Sequence, residues 1–297
     1  MAVMNDMNET YIWGNNTCNQ LGLDGEFSIA GVRTPRKLIL GDGLVIKKIS
    51  CGEWHTIVLA DSNHSNRIQS WVANGVGQLG IGQYMWQETR FKIDFFNGMD
   101  VKKIICGNQH SFVIVNSDEV YSWGLNITGQ LGLNIQELSV SKPRKLPLTN
   151  LKKIACGSYH SMCLTNNGEV WAWGSNEHGQ LGLGHKQNAY APQKINLPPI
   201  KKIACGSAHS VAISLKNQIY IWGYNYYGQL GLGHNYDLDL PTKLDLPSIK
   251  KIACGDYHSV ALTAFNEIWV WGRNTDGQLG LGSSKNHNTP CKLDMKW

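Results

Sequence analysis

The chain has 297 residues, 42% of them hydrophobic, with 32 Gly, 11 Trp, 9 Pro and only 16% charged. That composition excludes a disordered or collagen-like chain and is sufficient for one large or two ordinary hydrophobic cores. A formal net charge of +5 permits acidic partners without requiring nucleic acid. The opening MAVMNDMNETYIWG lacks the basic start and apolar run of a secretory signal. No stretch approaches the ~20 apolar residues that span a bilayer, and the final KLDMKW holds no prenylation motif. An intracellular location is therefore expected, and a reducing one because five of the eight cysteines recur at one repeated position and read as small buried hydrophobes rather than disulfide partners.

In chain order, a first unit over residues 11–44 is expected to hold two strands, 11–13 and 35–40. Residues 45–98 then follow a plan repeated over 99–150, 151–199, 200–248 and 249–297, so that one repeating domain covers 1–297. Its clearest copy reads KKIACG, HSMCLT, EVWAWG and APQKINL, four strand-length runs each ended by a turn signal. Asn167-Gly168 predicts a hairpin between the second and third runs, and the glycines of GQLGLG a longer loop before the fourth. Trp13, Trp71, Trp123, Trp173, Trp222 and Trp271 recur roughly every 50 residues, each followed by a Gly-Gln-Leu-Gly-type turn. Cys51, Cys106, Cys156, Cys205 and Cys254 each open Cys-Gly-x-x-His at the same period. Helices should be scarce, since no segment sustains a 3.6-residue apolar period. Four short antiparallel strands per ~50 residues predict an all-β fold, a β-propeller of four-stranded antiparallel blades.

The pattern K-I-A-C-G-x-x-H-S-x-A-L-T, then E-V-W-x-W-G-x-N-x-x-G-Q-L-G-L-G, then P-x-K resembles the repeat of the regulator of chromosome condensation family. The resemblance runs from Tyr11 to Leu293. It implies a propeller, seven-bladed in typical members. The founding member is a guanine-nucleotide exchange factor for the small GTPase Ran; other members act as an inhibitor, a photoreceptor or substrate modules of ubiquitin ligases. Here six Trp-Gly-type halves, one of them Trp71-Val72, stand against five Cys-Gly-x-x-His halves. The expected fold is five complete blades plus a half blade, in a six-bladed or incompletely closed ring, and we expect the gene product to end short of closure.

Several motifs carry competing chemical readings. Cys51-Gly52-Glu53-Trp54-His55-Thr56 could be a metal half-site or a nucleophile and its base. Five copies in five blades, with no third orienting residue, predict scaffold instead, the His capping the turn between first and second strands with its ring nitrogens. GQLGLG lacks the following helix of a phosphate loop. No catalytic set, metal or cofactor is expected. Lys47-Lys48, Lys102-Lys103, Lys152-Lys153, Lys201-Lys202 and Lys250-Lys251 precede the first strands. They read either as solvated strand entries or as a basic face, with Lys48, Lys103, Lys153, Lys202 and Lys251 meeting an acidic partner or anionic membrane. No specific nucleic-acid recognition is expected.

What differs between blades is where binding is sought. The first-to-second-strand turns offer Glu53 and Trp54, Asn108, Tyr159, and Asp256 and Tyr257. The loop over residues 71–93 replaces Trp-Gly-x-Asn by Trp71-Val72-Ala73-Asn74 and adds Tyr84, Met85 and Trp86, which serve either as binding anchors or as packing on a neighbouring blade. A longer hairpin spans 61–67. In the exchange-factor members, acidic and His residues after Cys-Gly contact the GTPase and a loop wedge presses near its nucleotide. Carried over, Glu53 and Asp256 match the acidic turn positions and residues 74–86 the wedge. The resemblance thus implies a monomeric GTPase-binding propeller, an exchange factor for Ran or a relative, that makes and breaks no bond. The alternative is a non-catalytic inhibitor or adaptor using the same face. Usage of 26 Asn and 21 Lys against 6 Arg suits an AT-rich genome. A bacterial effector acting in a host cytosol fits that usage.

Overall fold

A computed structural model describes residues 2–7, 9–23, 31–41, 43–62, 65–84, 87–116 and 118–294. Among these residues there are 23 strands, in six antiparallel sheets, and one single-turn 3-10 helix at Asp94–Phe96. The sheets fall in two compact units, residues 1–127 with 135–149, and residues 128–134 with 150–297.

The first unit holds three sheets. One is formed by β1 (Ala2–Met4), β2 (Thr10–Asn15) and β3 (Gly31–Lys37). A second comprises β4 (Val45–Cys51), β5 (His55–Ser62), β6 (Ser65–Val72) and β7 (Gln87–Lys92). The third comprises β8 (Val101–Cys106), β9 (His110–Val115), β10 (Val120–Leu125) and β11 (Ser139–Lys145). The half blade gains a strand unseen in the sequence: β1 pairs with β2, Val3 opposite Tyr11, so this sheet has three strands. Residues 2–4 escaped notice because an isolated apolar triplet carries no alternation to read.

The second unit repeats the plan with less variation. Its sheets are β12 (Leu151–Cys156) to β15 (Ala189–Lys194), β16 (Ile200–Cys205) to β19 (Leu238–Leu244), and β20 (Ile249–Cys254) to β23 (His287–Leu293). Strand order follows chain order within each sheet, so every connection is a hairpin. The second strands HSMCLT and HSVAIS are buried at every position, which is why they lack polar alternation. First strands expose part of one face, as in KKIAC of β12 and β16. The hairpin after each second strand ends on a left-handed residue, Gly168 at φ 82° but Asn217 at 62° and Asn266 at 61° elsewhere. Asn accepts this conformation at lower cost than other side chains, so the turn survives without glycine.

The core lies between successive sheets. In the second unit Val211, Ile213, Ile221 and Leu230 of one sheet pack with Ile249, Ala261 and Trp271 of the next. Trp71, Trp123, Trp173, Trp222 and Trp271 are among the largest fully buried side chains. One such indole buries about 200 Å2, worth up to ~5 kcal/mol of hydrophobic stabilisation. The chain is thus all-β and built of β-propeller blades.

Candidate functional site

Five of the Gln-Leu-Gly turns clamp the next sheet. The Gln180 carbonyl accepts from Trp222 Nε1 at 2.9 Å and from Ser210 Oγ at 2.8 Å, filling both lone pairs. Gln20, Gln78, Gln130 and Gln229 do the same for Trp71, Trp123, Trp173 and Trp271. The Gln180 side chain accepts from the His178 backbone N–H at 2.9 Å, shaping the turn that aims its carbonyl. Gly182 follows because an added Cβ would lie 2.7 Å from Trp222 Nε1.

The Cys-Gly-x-x-His motif completes this joint, and here the expected His cap is corrected. His160 Nε2 bonds Ser210 Oγ of the next sheet at 3.0 Å, as His209 does with Ser259 at 3.0 Å and His55 with Ser111 at 2.8 Å. The serine proton is committed to the Gln carbonyl, so the His must donate from Nε2 and is the Nε2–H tautomer. Nδ1 of His55, His160 and His209 is buried without a hydrogen-bond partner, as a bare lone pair there requires. Burial pushes the imidazole pKa down from 6.5, to about 4 for His55 and His160 and about 3 for His209. Burial likewise pushes the Cys106 and Cys254 thiols up to about 12, and all eight cysteines are reduced thiols. These groups are neutral joinery, unsuited to nucleophilic work.

Around the joint the turns are linked edge to edge. Glu53 N–H donates to the Asn108 carbonyl at 3.1 Å, Ser158 to Ser207 at 2.9 Å and Ser207 to Asp256 at 3.1 Å. This fixes the backbone and leaves side chains as the variable. In the first unit Glu53 is exposed, whereas Trp54 is half-buried and packs on the Ile12–Trp71 core. Asn108 is half-buried, its Oδ1 enclosed without a partner. In the second unit Asp256 is exposed, Tyr257 is partly covered, and Tyr159 is 38% exposed.

The aberrant loop divides. Asn74 is fully buried, accepting from Leu79 N–H at 3.1 Å and donating to the Gln83 carbonyl at 2.8 Å, as Asn176 and Asn225 do in their own loops. It is therefore scaffold and presents nothing to a partner, correcting its place among the candidates. Tyr84 is 49% exposed while its hydroxyl donates to the Ser139 carbonyl at 3.4 Å. It both packs on the neighbouring sheet and shows a face. Met85, Trp86 and the tip of the 61–67 hairpin at 63–64 lie outside the described residues. Val72 stands where other sheets have glycine, at φ 96°, a left-handed conformation that costs a β-branched residue of the order of 1–3 kcal/mol.

In three of the five pairs the second lysine is a tie between sheets. Lys153 Nζ donates to the Ile203 carbonyl at 2.8 Å, Lys202 to the Lys250 carbonyl at 2.5 Å, and Lys48 to the Lys102 carbonyl. Desolvation lowers the Lys153 pKa, with Lys202 nearby adding like charge. Lys103 and Lys251 hold the corresponding positions in β8 and β20. Lys102, the first lysine of its pair, instead pairs with Asp118 at 3.1 Å. The two positions of a pair thus do different work, which adjacent identical letters could not reveal.

Sequence reasoning missed the largest feature of the second unit. Tyr224, Tyr226 and Tyr227, from the segment after Trp222, cluster with Tyr257, His178 and Arg273. The available signal was the variable positions of Trp-Gly-x-Asn-x-x-Gly, which here read Tyr, Tyr, Tyr.

Blades joined by buried neutral clamps, with sequence variation at their exposed turns, define a β-propeller of repeated blades. Residues 1–296 match the family model described as RCC1-like domain, and the chain belongs to that family. It is 33% identical over 136 residues to human "Probable E3 ubiquitin-protein ligase HERC6", covering 45% of this chain and 12% of that protein. It is 31% identical over 150 residues to the dog X-linked retinitis pigmentosa GTPase regulator, covering 48% of this chain and 14% of that protein. The chain therefore spans a small part of these relatives' length. The crystal structure of Prp20p from Saccharomyces cerevisiae, described with its binding to Gsp1p and histones, superposes with a TM-score of 0.86 at 24% identity. The match covers 99% of this chain and 74% of that one, and it shows the shared fold.

Proposed function

We propose that this propeller binds a small GTPase through its turn face and promotes nucleotide release, with Ran or a related GTPase as the partner. The observation that carries the reading is the exposed carboxylates Glu53 and Asp256, at turn positions that neighbouring sheets fill with Asn or Ser. Family membership, the GTPase regulator among the relatives and the propeller described with Gsp1p support it. Exchange needs no bond chemistry: binding energy that favours the nucleotide-free GTPase shifts its population. A carboxylate that attracts the GTPase's phosphate-binding cation competes with the nucleotide for it. The test is release of labelled GDP from a panel of small GTPases, with Glu53→Gln slowing release by about tenfold. No acceleration across the panel rules the reading out. The wealth of exposed aromatic surface in the second unit favours an alternative, stable docking by an inhibitor or adaptor without exchange. Binding that ignores the partner's nucleotide state supports that alternative.

A further inference from the structure

The tyrosine cluster of the second unit is not required by the blade plan. At its positions the other sheets of this unit carry Ser175, Glu177 and His178, or Arg273, Thr275 and Asp276, and they fold alike. Tyr224 and Tyr226 lie nearly parallel, at 13° with centroids 6.4 Å apart. Tyr227 stands edge-on to both, at 6.3 and 5.0 Å, and Tyr257 closes on Tyr224 at 5.9 Å and on Tyr227 at 5.3 Å. Tyr226 remains 66% exposed. Four rings gathered at an exposed turn, against a surface cost rather than a packing need, mark a binding site.

We propose that this cluster is a docking site for a cationic side chain, arginine foremost, presented by a protein partner. The inference rests on the reading that this face docks a protein, though not on the partner being a GTPase. Three observations select the occupant. First, aromatic faces attract cations and hold guanidinium groups best when flat against them. Second, the site already does this once: Arg273 lies over Tyr227, its guanidinium carbon 5.6 Å from the ring centroid, steered by Thr275 and Asp276 at 2.8 and 2.9 Å. Third, the fixed charge around the rings is mostly negative, although the chain carries +5 overall. Asp237 is held by His178 at 2.8 Å, and its charge adds to burial in raising the Tyr224 pKa. Asp256 is exposed beside Tyr257, and Asp276 offsets Arg273. The same rings could stack nucleobases, but these carboxylates disfavour the phosphates that accompany bases.

The experiment titrates the full chain with a blocked glycine–serine peptide bearing two arginines, followed by tyrosine fluorescence and calorimetry. Its citrulline counterpart keeps the shape and loses the charge. The arginine peptide is expected to bind below ~1 mM, about tenfold tighter than the citrulline peptide, and Tyr226→Leu to weaken it about fivefold. Tyr226 is solvent-facing, so an unchanged melting temperature for Tyr226→Leu shows that folding is intact. Equal binding of the two peptides, or no saturable binding up to ~1 mM, overturns the proposal. So does arginine binding that is indifferent to both Tyr226→Leu and Tyr257→Leu. Tyrosine-dependent binding of poly-uridylate in preference to the peptide, or self-association through these tyrosines, overturns it in favour of a base platform or a second copy. Measuring GDP release with the same variant separates the two readings: exchange lost in Glu53→Gln but intact in Tyr226→Leu, with no peptide binding, removes this inference alone.

Discussion

Acidification should loosen the joints between blades well before it reaches the carboxylates. His55, His160 and His209 are buried as neutral Nε2–H tautomers, and protonation would put a charge on an imidazole that burial keeps from water. Their folded pKa values, about 4, about 4 and about 3, lie below the ordinary 6.5. Between pH 6.5 and those values the unfolded chain binds more protons, so stability is complete above pH 6.5 and is lost as the pH falls. An imidazole with pKa values of 6.5 unfolded and about 4 folded forfeits about 2 kcal/mol on going from pH 7.5 to 5. Three of them forfeit about 6 kcal/mol, a large share of the ~5–15 kcal/mol that stabilises a typical domain. Glu119, Glu169 and Glu267 have pKa values lowered by their lysine partners, so their contributions persist until the pH falls below the usual carboxylate range. The window from 6.5 to 5 therefore belongs to histidine. Urea unfolding followed by tryptophan fluorescence at pH 7.5, 6.5, 5.5 and 5 gives the stability, and its slope against pH the proton uptake. His160→Gln should lower that uptake by about one proton. A urea midpoint unchanged from pH 7.5 to 5 would refute the buried-neutral assignment.

Other expectations follow from the same joints. Ser210→Ala strips His160 Nε2 of its buried partner and should cost about 1–3 kcal/mol in urea unfolding. Paired with His160→Ala in a double-mutant cycle, it should show a coupling of at least about 0.5 kcal/mol, and strict additivity would dissolve the proposed link. Gly182→Ala puts a Cβ 2.7 Å from Trp222 Nε1 at a φ of 70°, and should lower stability by about 2 kcal/mol or more, read as a fall in melting temperature. Glu53→Gln, by contrast, should leave stability within about 0.5 kcal/mol while slowing GDP release, since its side chain is exposed; an equal loss of folding would make Glu53 structural.

The repeat, the blade plan and the scaffold role of Cys-Gly-x-x-His were legible in the sequence because each is a local pattern written many times over. Periodic Trp, Gln and Gly predict one supersecondary unit, and apolar runs bounded by turn residues predict its strands. The exposed turn carboxylates Glu53 and Asp256 were legible for the same reason, as departures from a repeated background. Contacts between units of the repeat were not legible, because partners some 50 residues apart leave no mark on either local pattern. Only the tertiary structure decided that His160 reaches Ser210 rather than its own turn, and that Lys153 ties down the Ile203 carbonyl. It also buried Asn74 and brought Tyr224, Tyr226 and Tyr227 against Tyr257. A sequence read one blade at a time specifies the blade; the joints and the tyrosine cluster exist only where two blades meet.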